Sequence, residues 1–224
     1  MYSPATDEKY QAGEPPSYEL LPPDVIVSPD TRRENRIPPG QSRTRKWPVL
    51  DASGTPRVPP DTWELRIWGS VERPLCYRLE EFRALPRVRV FGDLHCVTRW
   101  SRLGNLWEGV SARYLLQQAG ILDAAKYVIL HAYDHGWTTN LPLQDFLAED
   151  ALLADSHDGQ PLSAEHGGPV RAMVPRLYAW KCAKWIRGIE LSEIDKPGYW
   201  ERNGYHNHGD PWIEERFGSQ PPLG

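Results

Sequence analysis

The sequence predicts an α+β fold in which mixed sheets are joined by short helices. Short stretches with the alternating apolar pattern of strands are mixed with short helical stretches, and no regular strand–helix alternation runs along the chain. The sequence also has no internal repeat and no Gly-rich dinucleotide-binding motif. These features disfavour a doubly wound parallel sheet and indicate a mixed architecture.

Folded structure is predicted to begin near Trp47 and to form one domain over residues 46–224. Residues 1–45 are rich in Pro, Glu and Arg and have almost no periodic apolar pattern. Such a segment buries too little apolar surface to offset its ordering entropy. We therefore expect it to be disordered or to form an extended arm over the domain.

Alternation and helix-end signals predict the elements of the domain. Strands are predicted at residues 63–69, 87–91, 127–133, 170–174 and 185–191. A short helix is predicted at residues 79–85, where Pro86 stops it, and another at 142–148 with Pro142 in its first turn. A third is expected to begin after the N-cap Ser111 and to end at Gly120.

Composition limits the partners and the compartment. The net charge of -4 is mild and gives no reason to expect nucleic acid or an anionic membrane. No apolar run is long enough to span a bilayer, and the N-terminus lacks a signal peptide. The three cysteines fit neither a zinc pattern nor a disulfide framework, so we expect a reducing, cytoplasmic location.

The segment "HCVTRWS" is the first candidate site. Cys96 follows a predicted strand and enters what looks like a loop, where functional residues are common. Positive charge on His95 or Arg99 would lower the pKa of the thiol and favour the thiolate. A buried cysteine that serves as a small apolar residue is the alternative, and a zinc site with Asp93 is less well supported.

Two further clusters have the composition of a binding site. The first consists of the segments "EHGGPVR" and "WKCAKW", and the paired glycines of "EHGGPVR" permit close approach of the backbone to a ligand. His166, Arg171 and Lys184 could hold a phosphate and the polar edge of a heterocycle, although a solvated basic turn is the alternative. Residues 198–212 combine aromatics with Gly and His, which suggests a pocket wall; His206 and His208 are not assigned to a metal.

Taken together, the clusters resemble the sulfite oxidase superfamily, and in particular its short bacterial sulfite oxidase-like oxidoreductases. The segments "HCVTRWS", "LWEGV", "TTNLPL", "EHGGPVR", "YAWKCAKWIRGIEL" and "GYHNHGDPW" occur in the family's order, between about Trp47 and Phe217. The resemblance implies the sulfite-oxidase-type molybdopterin-binding fold, which is of the α+β class.

The resemblance also implies a cofactor, molybdenum bound to molybdopterin, and the residues that hold it. The protein ligand of the metal in this family is one cysteine, which matches Cys96. A soft thiolate suits a metal that already has two soft sulfur ligands. Contacts with the pterin and its phosphate are implied for His166, Arg171 and the run Cys182, Ala183 and Lys184. A polar residue after the strand near His131 is implied as well, and Asp134 is preferred over Tyr133 and Thr138.

On the substrate side, the resemblance implies Arg99, Trp107 and Tyr205 beside Cys96. Arg99 would attract an oxyanion, and Tyr205 would donate a hydrogen bond to the reacting oxygen. Two departures from the larger sulfite oxidases matter. No heme domain or dimerisation domain fits in the chain, and "LDASGTP" replaces a usual cofactor-binding segment, so the contacts around Asp51 stay open.

The sequence therefore predicts a molybdenum-dependent oxidoreductase that performs two-electron oxygen-atom transfer on a small sulfur-containing or oxyanion substrate. An external electron carrier of unknown identity and a monomeric state are expected. One alternative is a non-catalytic molybdopterin-binding protein of the same fold. A second alternative is a cysteine-dependent hydrolase with His95 or His166 as its base.

Overall fold

The computed structural model describes residues 17–218, whose strands form two β-sheets. The larger sheet has seven strands in the order β1-β5-β6-β9-β10, with β2 paired to β6 and β11 paired to β9. The smaller has five strands in the order β4-β3-β12-β7-β8. In chain order the strands are Val25–Val27 (β1), Ser42–Thr44 (β2), Glu64–Gly69 (β3), Leu75–Arg78 (β4), Val88–His95 (β5), Trp100–Ser111 (β6), Tyr127–Ala132 (β7), Thr138–Pro142 (β8), Leu152–His157 (β9), Gln160–Pro161 (β10), Arg171–Met173 (β11) and Ile186–Ser192 (β12).

The α-helices of the described residues are short, as predicted: Leu79–Arg83 (α1), Ala112–Ala119 (α2), Leu143–Phe146 (α3) and Tyr199–Arg202 (α4). The ends of α2 are confirmed, because Ser111 Oγ accepts the Tyr114 N–H and Gly120 follows with φ 72°. A left-handed residue at this position is the usual C-terminal stop of a helix. None of the helices between residues 17 and 218 has the length and apolarity needed to cross a membrane.

One hydrophobic core joins the two sheets. In β3 the side chains of Leu65 and Ile67 are fully buried while Arg66 is exposed, which confirms the predicted alternation. These residues belong to the same buried cluster as Val110 of β6 and Leu130 of β7. Helix α2 contacts β3, β6 and β9, so it connects the sheets through that core.

The predicted loop after Cys96 is in fact a tight turn between two long strands. Strand β5 continues to His95, beyond the predicted end at residue 91, and β6 begins at Trp100. The two strands pair as a hairpin with His95 opposite Ser101. Arg99 closes the turn with φ 73°, and its N–H donates to Cys96 O at 2.9 Å.

Buried polar residues explain why β6 and β9 were not predicted. Asn105 in β6 is fully buried, and its amide donates to Gly92 O and Arg102 O. Asp155 in β9 is buried in an ion pair with Arg87. Because such groups are satisfied by partners elsewhere in the fold, they interrupt the apolar alternation without ending the strand.

The N-terminal segment lies along the larger sheet. Strand β1 pairs in parallel with β5, and β2 pairs in parallel with β6. Arg36 donates two hydrogen bonds to the buried carboxylate of Asp93, at 2.9 and 2.6 Å. Residues 17–45 thus pair with the sheet through β1 and β2 and also form 3-10 helices at Tyr18–Leu20 and Pro29–Arg32, while the rest of the predicted arm, residues 1–16, lies outside the described residues. The domain boundary at residue 46 stays a prediction.

Candidate functional site

An open cleft with a volume of about 170 Å³ brings together residues from all three sequence clusters. Five of the predicted site residues line it: Cys96, His166, Arg171, Lys184 and Tyr205. Its walls are largely aromatic, with the indoles of Trp47, Trp100, Trp180 and Trp200. A neighbouring cavity of about 70 Å³ shares Asp51, Lys184 and Trp200 with the cleft and adds Asp134 and Cys182.

Cys96 is held at the cleft by the hairpin turn between β5 and β6. Its N–H donates to Trp100 O, and its carbonyl accepts the side-chain amide of Gln41 at 3.0 Å. The thiol accepts a hydrogen bond from Thr98 Oγ1 at 3.2 Å. The backbone of the turn is thus fixed on both sides of the sulfur.

The thiol is not activated as the sequence suggested. Burial raises the pKa of Cys96, and the Thr98 hydroxyl and the positive charge of Arg216 only oppose that rise. His95 provides no cation, because burial lowers its pKa to about 4. The side chain of Arg99 is exposed and lies near Gly40 O, at 3.4 Å. The prediction that His95 and Arg99 lower the thiol pKa is therefore wrong.

Arg171 carries a buried positive charge that faces the cleft. Its terminal nitrogens donate to His166 O at 2.8 Å and to Cys182 O at 3.2 Å, while its buried Nε has no partner among residues 17–218. Burial lowers the pKa of Arg171 to about 10. A buried guanidinium bonded only to neutral carbonyls is suited to receive an anion.

Lys184 lies beside Arg171 and lines both cavities. Its ammonium donates to Glu165 O at 2.9 Å and forms an ion pair with Asp51 at 3.7 Å. Burial and repulsion by Arg171 lower the pKa of Lys184 to about 8. Asp51, whose contacts the sequence left open, is therefore part of the same charged group.

His166 is neutral and is held flat by an aromatic neighbour. Its ring stacks on the indole of Trp47 with centroids 3.7 Å apart and planes 7° from parallel. Burial and the charge of Arg171 lower the pKa of His166 to about 4. Gly167 has φ 104°, and a Cβ added to it would lie 3.0 Å from Lys184 Cβ and 3.1 Å from Arg171 Cβ. A glycine at this position therefore lets the backbone pass close to both side chains.

Tyr205 belongs to the aromatic wall near Cys96. It stacks on Trp200 with ring centroids 4.9 Å apart, and its edge contact with Trp180 is 5.1 Å long. Burial, and to a smaller extent the charge of ionised Cys96, raise the pKa of Tyr205. Its hydroxyl therefore remains a hydrogen-bond donor at neutral pH.

Of the three residues that competed after β7, Asp134 is the one that faces a cavity. It is buried, and its Oδ1 has no partner in the part of the chain that the structure describes. Tyr133 instead bonds through its hydroxyl to the backbone of Glu64. Thr138 lies in β8 and lines neither cavity.

Three predicted residues lie outside the linings of both cavities: Arg99, Trp107 and Ala183. Trp107 is fully buried, in edge contact with Trp47 at a centroid distance of 5.2 Å. Ala183 is buried and uses its carbonyl to accept the Ala172 N–H. The contacts of these three residues with substrate or cofactor stay predictions.

Sequence reasoning missed several residues that shape the site. The Lys181 ammonium is fully buried and donates to Glu201 Oε1 at 2.6 Å, Asn140 O at 2.7 Å and Asn207 O at 2.6 Å. Lys181 therefore links Glu201 of α4 to Asn140 of β8, and Thr139 Oγ1 of β8 donates directly to Glu201 Oε1 at 2.7 Å, so the wall formed by Trp200 is held to β8. Lys181 and Glu201 lie within two of the clusters that the sequence marked, where the local density of aromatics is the signal, but neither was named as a site residue.

The zinc alternative gains no support from the described residues. Asp93 is already bonded to Arg36, and His95 Nδ1 lies 2.8 Å from Ser101 Oγ. His208 sits between Asp145 and Glu215, each at 2.9 Å. Across residues 17–218 no group of three or more His, Cys, Asp or Glu side chains is arranged to hold a metal ion.

A family model described as "Oxidoreductase molybdopterin binding domain" matches residues 52–200 of the chain. The chain belongs to this family. As predicted, it is a sulfite oxidase-like molybdopterin-domain protein, and its cofactor is molybdenum-molybdopterin. The solved structure of the sulfane dehydrogenase SoxCD from Paracoccus pantotrophus is similar in fold, with a TM-score of 0.59 and 23% identity over 63% of this chain and 41% of that one.

Curated relatives of this molybdopterin-domain protein include an uncharacterized oxidoreductase, YuiH of Bacillus subtilis, which is 50% identical over 83% of this chain and 93% of its own length. A putative protein-methionine-sulfoxide reductase subunit, YedZ1 of Azospira oryzae, is 31% identical over 66% of the chain and 56% of its length. The sulfite oxidase of Gallus gallus is 28% identical over 67% of the chain and 39% of its length. The chain thus spans nearly all of the first relative but only part of the other two.

The residues of the cleft fit this cofactor. A thiol that is free of disulfides opens into the cleft from one side, as a single protein ligand to molybdenum requires. Arg171 supplies a buried cation with an unpartnered nitrogen for a phosphate, and Asp134 supplies a buried carboxylate oxygen without a partner. The flat indole walls match the shape of a tricyclic pterin.

Proposed function

We propose that the protein transfers an oxygen atom to or from a small sulfur-containing or oxyanion substrate, while two electrons pass in the opposite direction. The observation that supports this most directly is the position of Cys96 and Arg171 in one cleft. A soft ligand for a metal and a buried, uncompensated cation for a phosphate line the same space.

Cys96 would bind the metal, and its proton would leave on binding because the thiolate is the ligand. Arg171 and Lys184 would hold the phosphate of the pterin. Asp134, His166 and the backbone of Cys182 and Ala183 would contact the pterin itself. When bound, the cofactor supplies the redox chemistry, and the chain orients it and sets its electrostatic environment.

Tyr205 would act on the substrate side. Its raised pKa keeps the hydroxyl protonated, so it can donate a hydrogen bond to an oxygen that gains negative charge in the transition state. Trp100 and Trp200 would exclude water from that region. The roles of Arg99 in attracting an oxyanion and of Trp107 in shaping the pocket stay predictions from the family resemblance.

The hydrolase alternative lacks support in the site. A nucleophilic cysteine needs a nearby base or a lowered pKa. The hydrogen-bond partner described for the Cys96 thiol is Thr98, and burial raises the pKa of Cys96. The non-catalytic alternative is compatible with the same cleft. Turnover assays distinguish it from a catalytic role.

An external carrier would supply or remove the two electrons, since the sequence has no heme or flavin motif. Its identity follows from neither the cleft nor the relatives. The monomeric state and the cytoplasmic location also stay predictions from the sequence.

The test is to express the chain in a host that makes molybdopterin and to compare wild type with Cys96→Ser. We expect one molybdenum per chain and a visible thiolate-to-metal absorption band in the wild type, and loss of both in the variant. Cys76→Ser is the matched control, because Cys76 is exposed and lies outside the cleft.

Turnover then decides the class of reaction. The wild type is assayed for oxidation of sulfite with a dye acceptor and for reduction of a methionine sulfoxide with a dye donor. Redox cycling of the metal by either substrate supports the proposal. Stoichiometric molybdenum that neither sulfite nor any dye donor can reduce would favour the non-catalytic alternative.

A further inference from the structure

Arg216 connects the Cys96 turn to the N-terminal segment. Its side chain is 1% exposed. One terminal nitrogen donates to Val97 O and the other to Pro39 O, each at 3.0 Å. The guanidinium also lies 5.1 Å from the ring centroid of Tyr178. The guanidinium of Arg216 thus bonds the residue after the cysteine to Pro39, which lies 177 positions from Arg216 in the sequence.

The same turn is held from its other side. Gln41 Nε2 donates to Cys96 O at 3.0 Å, and the Ser42 N–H donates to Arg99 O at 2.9 Å. Both contacts come from the extended segment that also supplies Pro39. Arg216 therefore closes a ring of hydrogen bonds around the turn, and its rigid fork can reach two carbonyls at once.

The charge of Arg216 is only partly compensated. Its nearest carboxylate, Glu214 Oε1, lies 3.4 Å from Nε, at the long end of hydrogen-bond geometry. The two shorter bonds go to neutral carbonyls. Of the three basic side chains around the Cys96 turn, Arg99 is exposed and His95 bonds to Ser101, whereas Arg216 is a buried guanidinium that donates directly to the carbonyl of Val97, the residue after the cysteine.

We propose that Arg216 is a positioning residue that fixes the Cys96 turn and raises the reduction potential of the metal bound by that cysteine. This inference rests on the proposed function. A buried positive charge near the thiolate stabilises electron density on the sulfur and weakens its donation to the metal. It also favours the oxidation state that carries more electrons.

The test uses the molybdenum-loaded protein and a redox titration followed by electron paramagnetic resonance. Arg216→Met removes the charge and the fork, and we expect the molybdenum midpoint potentials to shift downward. Arg216→Lys keeps the charge and should stay close to wild type. Arg113→Met is the matched control, because Arg113 also donates to a backbone carbonyl, Leu147 O, but lies on α2.

Glu214→Gln keeps the test decisive if Arg216→Met does not fold. Removal of the neighbouring carboxylate leaves the charge of Arg216 uncompensated, so the midpoint potentials should shift upward. Unchanged potentials in Glu214→Gln, or in a folded and loaded Arg216→Met, would overturn the electrostatic part of the proposal.

Unfolding of the cofactor-free chain tests the structural part separately. Arg216→Met should unfold at a lower denaturant concentration than the wild type, because methionine can donate to neither carbonyl, and Arg216→Lys should lie between them, because lysine lacks the rigid planar fork. A wild-type midpoint in both variants would contradict the positioning role. If the wild-type chain binds no molybdenum, the proposed function fails, while this measurement still reports on the turn.

Discussion

The imidazole of His166 lies flat on the indole of Trp47, with ring centroids 3.7 Å apart. Both residues line the cleft, and Trp47 is the first residue of the predicted domain to do so. The stack orients a neutral histidine beside Arg171, which donates to the His166 carbonyl. Trp47, which the sequence marked only as the start of folded structure, thus belongs to the site.

We expect Trp47→Ala to reduce the molybdenum content of the purified protein, and Trp47→Phe to retain it. An alanine removes the flat surface that orients His166 and should cost about 2 kcal/mol of unfolding free energy. Trp68→Ala is the control, because Trp68 makes a similar contact with His131, at 4.8 Å, outside the cleft. Equal molybdenum loss in Trp68→Ala and Trp47→Ala would show that general destabilisation, and not orientation, is responsible.

We expect Arg171→Met to weaken cofactor binding about tenfold or more, because a charge-assisted hydrogen bond to an anion contributes about 1.5–3 kcal/mol. The cofactor affinity of Arg171→Lys should lie between those of the wild type and Arg171→Met, since lysine keeps the charge but loses the planar fork. Cofactor release during dialysis, measured as molybdenum per chain, gives the comparison. Arg187→Met, which removes an exposed arginine near Tyr133, should release cofactor at the wild-type rate.

We expect Glu201→Gln to destabilise the chain by about 3–5 kcal/mol, because it leaves the buried Lys181 ammonium without its counter-charge. The free energy of unfolding in urea measures this. Glu64→Gln is the control: its partner Arg66 is 61% exposed, so the change should be about 1 kcal/mol or less. A similarly small change in Glu201→Gln would mean that the carbonyls of Asn140 and Asn207 suffice for Lys181.

We expect the stability of the chain to fall as pH is lowered from about 6.5 to about 4, in part through His157. Burial lowers the pKa of His157 from 6.5 to about 4 in the folded chain. In that window the unfolded chain binds a proton that the folded chain does not, so acid favours unfolding by up to about 3 kcal/mol. Above pH 6.5 this contribution to stability is fully present.

Urea unfolding between pH 4 and pH 7 measures the slope. It should be shallower in His157→Gln, which cannot titrate. His135→Gln, at an exposed position, should keep the wild-type slope. A His157→Gln slope equal to that of the wild type would rule out His157 as a source of the acid sensitivity.

Local signals in the sequence were sufficient for features whose cause is local. The cap at Ser111, the stop at Gly120 and the alternation around Arg66 each depend on residues a few positions apart. The motif clusters also allowed the residues that line one cleft to be named, although the clusters lie far apart along the chain. These properties follow from residue type and short spacing.

Tertiary structure alone decided burial, pairing and charge. The bonds of Arg216 to Val97 and Pro39 join residues that are far apart in the sequence. Lys181 has a counter-charge only because the fold places Glu201 of α4 beside it. The pKa of Cys96 is raised by burial, which its sequence neighbours did not indicate. The physical reason is that desolvation and hydrogen-bond satisfaction depend on the atoms that enclose a group, and those come from distant parts of the chain.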